Sequence, residues 1–182
     1  MNELNIINTT HYMRIFSPLF LFHICLFIEP CKAQECESVQ KLKAKDGFTY
    51  MGMVDTPKNT NTTQNQVLML VLGKGVTKSD TTYLLNTSIN AVSVSENSPS
   101  SGILLQFEDG FEIAKPGQTL EVFSMLDGKA ILSAEVELTL AEMQRMKDTA
   151  LLSITLASSK TGIVESFSKS VRVVANCLSV TW

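Results

Sequence analysis

The sequence predicts an α+β fold dominated by β-structure, with antiparallel sheets packed in a sandwich-like core and one or two short helices. Three observations lead to this prediction. Apolar and polar residues alternate along most of the chain, which is typical of half-buried strands. Turn-forming residues separate these alternating stretches. Near the C-terminus, apolar residues instead recur at helical spacing.

The first half of the chain contains five predicted strands. They are Val39–Ala44, Phe48–Val54, Val67–Leu72, Tyr83–Leu85 and Ile89–Val94. The third is continuously apolar, which predicts burial on both faces. Gly73-Lys74-Gly75 is interpreted as a turn that follows this buried strand. The polar stretches at 56–66 and 95–102 are predicted loops.

A hairpin is predicted around Glu108-Asp109-Gly110. A two-residue loop would pair Phe107 with Glu112 and mix the apolar and polar faces, whereas a three-residue loop pairs Phe107 with Phe111. The longer loop also places Gly110 at the left-handed position that such turns need. The same reasoning at Leu126-Asp127-Gly128 predicts three pairs: Ser124 with Ala130, Val122 with Leu132, and Leu120 with Ala134.

The C-terminal third is predicted to contain a helix, a hairpin and a second helix. Thr139 and Glu142 form a capping box, which predicts that a short helix begins there. A hairpin is predicted from Leu151–Ala157 and Gly162–Phe167. The segment from 168 to 178 has valines that favour a strand, but its apolar spacing favours a helix capped by Ser168.

The N-terminus is predicted to be an export signal. The apolar run from Ile15 to Ile28 is shorter than the about 20 residues of a membrane-spanning helix, and small residues follow it. Cleavage before Gln34 would make residues 1–33 a signal peptide and residues 34–182 a single exported domain. Acylation of Cys31 or Cys36 in a lipoprotein is an alternative. No later segment is apolar enough to span a membrane. The predicted location is secreted, periplasmic or at the cell surface.

Two cysteines, Cys36 and Cys177, remain after this cleavage. An even number of cysteines in an oxidising compartment predicts a disulfide between them. Two unpaired thiols, with Cys177 buried on a helix, are the alternative. A redox-active pair is not expected, because the two do not form a Cys-x-x-Cys motif.

The predicted mature chain excludes several kinds of chemistry. Both histidines, His11 and His23, precede Gln34, so a mature chain could not form a Ser-His-Asp or Cys-His catalytic system. We therefore expect no catalytic residues, no metal site and no cofactor. The net charge of −3 argues against a surface for nucleic acid or anionic membranes.

Three carboxylates, Glu108, Asp109 and Glu112, lie together at one predicted hairpin tip. They could bind calcium or act as paired acids on a glycoside. However, the sequence lacks a calcium-loop motif and does not place an opposing carboxylate. A solvated turn is the favoured interpretation.

The order of elements in the last 80 residues or so resembles small uncharacterised secreted proteins of Bacteroidota-type bacteria. The resemblance covers roughly residues 100–178: the hairpin Leu104–Gly110, the segment Leu138–Met143, the strands Leu151–Leu156 and Ile163–Phe167, and a short apolar segment ending in Cys177. It implies an exported bacterial protein and assigns no site residue.

These observations lead to a functional hypothesis by exclusion. We expect an exported, non-enzymatic binding or interaction module whose partner is an unidentified protein or glycan. One alternative is a carboxylate-dependent enzyme that acts on extracellular carbohydrate. Another is a structural or assembly subunit that pairs through an exposed sheet edge.

Overall fold

The computed structural model describes residues 36–54, 66–91, 101–124 and 129–180. All of them belong to one compact unit that spans residues 35–182. The predicted signal peptide, most of the two predicted polar loops and the turn at Leu126–Gly128 lie outside the described residues.

The described chain forms ten strands and two helices. In chain order these are β1 (Val39–Ala44), β2 (Gly47–Val54), β3 (Gln66–Thr77), β4 (Thr81–Ala91), β5 (Ser101–Phe107), β6 (Glu112–Thr119), β7 (Glu121–Ser124), β8 (Ala130–Leu138), α1 (Leu140–Asp148), β9 (Leu151–Leu156), β10 (Ser159–Gly162) and α2 (Glu165–Ser179).

The strands form two antiparallel sheets. The six-stranded sheet has the order β1-β2-β3-β4-β8-β7, and the four-stranded sheet has the order β10-β9-β5-β6. Buried residues from both sheets join one core, including Leu72 and Leu85 from the first and Leu105 and Ile154 from the second. This confirms the predicted β-dominated, sandwich-like α+β fold.

Helix α2 packs on the inner face of the six-stranded sheet beside β1 and β2. Phe167, Val171 and Val174 on this helix are buried in the core. The helix reaches the sheet at Gly52, where a β-carbon would lie only 2.3 Å from Cγ1 of Val174. A glycine is therefore required for this close approach of helix and strand.

Both predicted hairpin registers are present where the structure describes them. Leu105 pairs with Ile113, the Phe107 amide donates to the Phe111 carbonyl at 3.0 Å, and Gly110 has a φ of +82°. In the other hairpin, Val122 pairs with Leu132 and Ser124 with Ala130, whereas the ladder begins at Glu121 and does not include the predicted pair of Leu120 and Ala134. The alternation of buried and exposed faces was sufficient to determine these registers.

The interpretation of Gly73-Lys74-Gly75 as a turn was wrong. These residues lie inside β3, a continuous strand that ends at Thr77 and pairs with β2 and β4. Gly73 is buried, and a β-carbon on Gly75 would meet Oγ1 of Thr82 at 2.8 Å. The small residues here allow close packing within a sheet. The two strands predicted between 83 and 94 are likewise one strand, β4, as far as Ala91.

The helix predicted near the C-terminus is present, but its start was wrong. Helix α2 begins at Glu165, and Ser168 lies inside it. Oγ of Ser168 accepts a hydrogen bond from the Leu151 amide at 2.9 Å, so the hydroxyl joins the helix to β9. The strand predicted at Gly162–Phe167 was also wrong. The hairpin turns at Ala157, which has a φ of +53°, its second strand is Ser159–Gly162, and the helix has begun by Glu165.

The predicted disulfide between Cys36 and Cys177 is present. It joins the residues just before β1 to the last turns of α2, and Cys177 is fully buried. The bridge therefore attaches the edge of the six-stranded sheet to the helix that packs on it. Neither helix in the described part of the chain is long and apolar enough to cross a membrane.

Candidate functional site

Lysines accumulate at one end of the six-stranded sheet, where the β1–β2 and β3–β4 turns lie. We call this region the lysine end and define it by Lys41, Lys43, Lys45, Lys74 and Lys78. Within the described residues 41–54 and 66–80, the only carboxylates are Asp46 and Asp80. A local positive charge therefore forms in a protein whose net charge is −3.

Strand periodicity places two of these lysines beside aromatic rings. Lys41 and Lys43 are alternate residues of β1, so their side chains share one face. Their Cα partners in β2 are Tyr50 and Phe48. Nζ of Lys41 lies 4.1 Å from the centroid of the Phe48 ring and 5.5 Å from that of Tyr50, within the range of a cation–π interaction.

Lys74 lies on the same face of the sheet, in the third strand from the edge. Its Cα partners are Tyr50 in β2 and Tyr83 in β4. The residue is only 5% exposed. Within the described part of the chain, its ammonium has no hydrogen bond or ion pair. Nζ of Lys74 is not an enclosed polar atom that lacks a partner, so the ammonium reaches the surface and the buried part of the side chain is its apolar stem.

An open cleft of about 580 Å³ lies at the lysine end. This volume is within the roughly 300–1,000 Å³ of small-molecule sites. Its walls combine cationic groups with apolar surface. They are formed by Lys43, Ala44, Lys45, Asp46, Gly47, Phe48, Val76, Thr77, Lys78 and Ser79.

The two carboxylates of the lysine end do not form a salt bridge with its lysines, considering the residues that the structure describes. Oδ1 of Asp80 instead accepts a hydrogen bond from the Thr81 amide at 2.7 Å, which stabilises the β3–β4 turn. Asp46 lies in the β1–β2 turn at the wall of the cleft. The ammonium groups therefore remain available to an external anion.

At the acidic hairpin tip, Asp109 takes part in structural contacts. It forms a salt bridge with Arg145 of α1, and its Oδ1 accepts from the Phe111 amide at 3.1 Å. The guanidinium carbon of Arg145 also lies 4.5 Å from the centroid of the Phe111 ring. These contacts attach the tip of the hairpin to α1.

Glu112 belongs to a different network, on the outer face of the four-stranded sheet. Its Oε1 accepts from Nε2 of Gln106 at 2.7 Å. Oε1 of Gln106 accepts from Oγ of Ser153 and from Nζ of Lys160, at 2.9 and 2.6 Å. Glu108 is exposed at the tip. The described residues hold no group of three side chains suited to a metal ion.

One further ion pair connects β6 of the four-stranded sheet to α1. Nζ of Lys115 donates to Oε1 of Glu142 at 2.7 Å, and Oε2 of Glu142 accepts from the Thr139 amide, which completes the predicted capping box. Burial alone would raise the pKa of Glu142, but the hydrogen bonds from Lys115 and Thr139 outweigh it and the pKa is lowered. Glu142 is thus held as an anion that stabilises the start of α1.

The sequence predicted none of the lysine end as a site. The detectable signal was Lys41-Leu42-Lys43-Ala44-Lys45, in which period-two spacing on a predicted strand places charges on one face. The net charge of the whole chain concealed this local cluster. The contribution of Lys74 was hidden because its segment was interpreted as a turn.

Comparison of the chain with models of protein families, with curated proteins and with solved structures found no match. The resemblance to secreted proteins of Bacteroidota-type bacteria therefore stays a prediction.

Proposed function

We propose that the protein is an exported, non-enzymatic binding module that binds a small organic anion in the cleft at the lysine end. The observation that supports this most directly is the concentration of lysines around a cleft of about 580 Å³ in a protein of net charge −3. Such a local field raises the concentration of anions at the site.

The walls of the cleft indicate the kind of anion. Phe48, Val76 and Ala44 offer apolar surface, and Lys43, Lys45 and Lys78 offer cationic groups. A ligand with a charged head and an apolar or aromatic body would contact both. The cleft contains no arginine, which is the residue that favours bidentate recognition of phosphates along a nucleic acid.

The disulfide supports export, because such bonds persist in oxidising compartments.

The lysines of β1 argue against the alternative of a subunit that pairs through this edge of the sheet. In the described residues, β1 pairs only with β2 and is therefore an edge strand. Its alternating lysines are a common device that opposes strand addition.

A titration with small probes tests the proposal. Mature protein labelled with ¹⁵N is titrated with benzoate, with phenyl phosphate and with the neutral benzyl alcohol. We expect the two anions to shift backbone resonances of the β1–β2 and β3–β4 turns, and benzyl alcohol to bind more weakly. Higher salt should weaken the binding of both anions.

Substitutions show whether the cleft is the site. Lys43→Gln, Lys45→Gln and Lys78→Gln combined should abolish the shifts. Lys129→Gln is the matched control, because Lys129 precedes Ala130 at the opposite end of the β4–β8 ladder. Equal binding of neutral and anionic probes, or equal loss in the Lys129→Gln control, would show that the lysine end is not an anion site.

A further inference from the structure

We propose that the outer face of the six-stranded sheet binds a helix of a partner protein, and that this helix is apolar on one side and carries lysine or arginine along one flank. The outer face is the surface turned away from the four-stranded sheet and α2. We call its apolar part the β3 groove and define it by Met51, Met53, Gly73, Gly75 and Leu84. None of these residues lines the cleft at the lysine end, so the inference is independent of the proposed function.

The side chains along the β3 groove are large, apolar and exposed. Met53 is 60% exposed, Met51 41% and Leu84 37%, and Leu42 of β1 extends the same surface at 47%. The register places Met51 and Leu84 on either side of Gly73, their common Cα partner. Contiguous apolar surface of this kind marks sites of protein contact, and methionine adapts its shape to a partner.

The glycines of β3 form the floor of the groove. Gly73 and Gly75 are alternate residues of this strand, so they occupy successive positions on its outer face and carry no side chain there. The walls are β2 and β4, which lie about 9.6 Å apart across β3. One ridge of side chains from a helix fits between such walls, as ridges fit grooves where two helices pack.

Packing within the sheet does not require a glycine at position 73. A glycine weakens a strand, and it often marks a bulge, a bend or the close approach of a ligand or another chain. The pairing of Gly73 with Met51 and Leu84 is regular, and its φ is not positive. A β-carbon there would lie 3.7 Å from its nearest neighbour, Cβ of Leu84, so alanine would fit. The approach of a partner from outside explains the missing side chain.

The charge of the outer face indicates which partner fits. Glu135 and Glu137 of β8 lie beside the groove, since Glu137 is the Cα partner of Leu84. Both are exposed, and neither forms a salt bridge in the described part of the chain. Glu121 of β7 shares this face, where the described strands place no lysine or arginine. Cations on the flank of a docked helix would pair with these carboxylates, whereas a helix with glutamate there would be repelled.

A second copy of the chain is the competing occupant, because dimers that share one face are the commonest homo-oligomers. It fits less well. The same face on a second copy would offer no cation to Glu135 and Glu137, and burial of unpaired charges is costly. A partner with its own lysine or arginine avoids this cost.

The experiment measures the binding of three synthetic helical peptides of about 18 residues by fluorescence anisotropy. The first has leucine on one side and lysine along one flank. The second has glutamate in place of each lysine, and the third has serine in place of each leucine. We expect the first to bind the mature wild-type protein and the other two to bind at least about tenfold more weakly.

Apolar variants test the groove itself. Met51→Ser combined with Leu84→Ser should weaken binding of the first peptide at least about tenfold. Leu152→Ser is the matched control, because Leu152 is also exposed but belongs to β9 of the four-stranded sheet. Gly73→Val adds apolar surface but fills the groove, so it should weaken binding as well. Unchanged or tighter binding by Gly73→Val would show general adhesion to apolar surface and would overturn the inference.

Charge variants test the flank. Glu135→Gln combined with Glu137→Gln should weaken binding of the first peptide and reduce its dependence on salt. Glu108→Gln combined with Glu165→Gln should change neither, because these exposed glutamates lie at the β5–β6 turn and at the start of α2. Equal losses in the two pairs of variants would show that only the net charge of the protein matters, and would overturn the inference.

The wild-type protein by itself provides a test that needs no variant to fold. In protein labelled with ¹⁵N, the first peptide should shift backbone resonances of β2, β3, β4 and β8 and leave those of β9 and β10 in place. Equal binding of the lysine and glutamate peptides would overturn the inference. So would sedimentation that shows a wild-type dimer and a monomeric variant with Met51→Ser and Leu84→Ser, because a second copy would then cover the face.

Discussion

The contact between Gly52 and Val174 offers the sharpest test of how α2 packs on the six-stranded sheet. A β-carbon on Gly52 would lie 2.3 Å from Cγ1 of Val174 and 3.2 Å from Cγ2 of Val39. Carbon atoms pack at about 3.5–4.0 Å, so Gly52→Ala requires the first pair to separate by at least about 1.2 Å. Val174 is β-branched and lies in a helix, where its side chain has essentially one rotamer. The strain must therefore move α2 or β2.

Overpacking of this kind costs about 1–3 kcal/mol. The intrinsic effect of replacing a strand glycine by alanine has the opposite sign, about 0.5–1 kcal/mol in favour of alanine. Gly73→Ala measures that intrinsic effect, because its β-carbon would meet no atom closer than 3.7 Å. We therefore expect Gly52→Ala to be less stable than Gly73→Ala by about 1–3 kcal/mol.

The assay is urea unfolding of the mature protein with its disulfide intact. Free energies of unfolding are compared between variants whose m-values are equal. A double-mutant cycle with Val174→Ala isolates the steric contact. In the Val174→Ala background, Gly52→Ala should lose most of its cost. If Gly52→Ala is as destabilising in that background as it is in the wild-type protein, the helix does not contact the strand as described and the reasoning is refuted.

Three further predictions concern stability. Replacing both Cys36 and Cys177 by alanine should lower the free energy of unfolding by up to about 5 kcal/mol, the chain-entropy value for a sequence separation of 141 residues. A loss below about 1 kcal/mol in urea unfolding would contradict this entropic explanation. Because the pKa of Glu142 is lowered in the folded protein, its stabilisation should be present in full above the ordinary value of 4.5 and lost as pH falls through the lowered pKa. The stability difference between wild type and Glu142→Gln should therefore shrink towards acid in urea unfolding followed across pH, and a difference independent of pH would contradict this. Gly110→Ala should cost about 1 kcal/mol from its φ of +82° alone, whereas Gly117→Ala, which also has open space around it, should cost less in the same assay.

The features that local chemistry determines were predictable from the sequence. The register of the β5–β6 hairpin followed from two facts: apolar side chains must share one face, and Gly110 permits a left-handed turn residue. The start of α1 followed from the reciprocal hydrogen bonds of Thr139 and Glu142. In each case the interacting residues lie within a few positions of one another.

Errors arose where distant residues overrode a local preference. Gly73 and Gly75 have the composition of a turn, but pairing with β2 and β4 on both sides keeps them in a strand. Ser168 has the chemistry of a helix cap, but its hydroxyl binds the amide of Leu151 in β9 instead. Burial of Phe167 in the core accompanies the earlier start of the helix.

The acidic hairpin is another place where local sequence and distant contacts each determined part of the result. The sequence placed Glu108, Asp109 and Glu112 close together but did not predict what they contact. Asp109 pairs with Arg145, 36 residues away, and Glu112 interacts with Gln106 on the adjacent strand. Carboxylates that are close in sequence therefore take part in separate interactions in the folded protein.

The sequence by itself predicted the β-dominated fold class, the registers of the β5–β6 and β7–β8 hairpins and the cap of α1, because each depends on short-range periodicity or turn geometry. It also predicted the disulfide between Cys36 and Cys177 from an even count of cysteines, with two free thiols as the alternative. Only the tertiary structure determined the lysine end. Its lysines come from β1, β3 and the turns that follow them, and they lie close together because β2 pairs with both strands in a particular register. That register depends on which faces are buried against the second sheet and α2, a property of the whole core that no single segment contains.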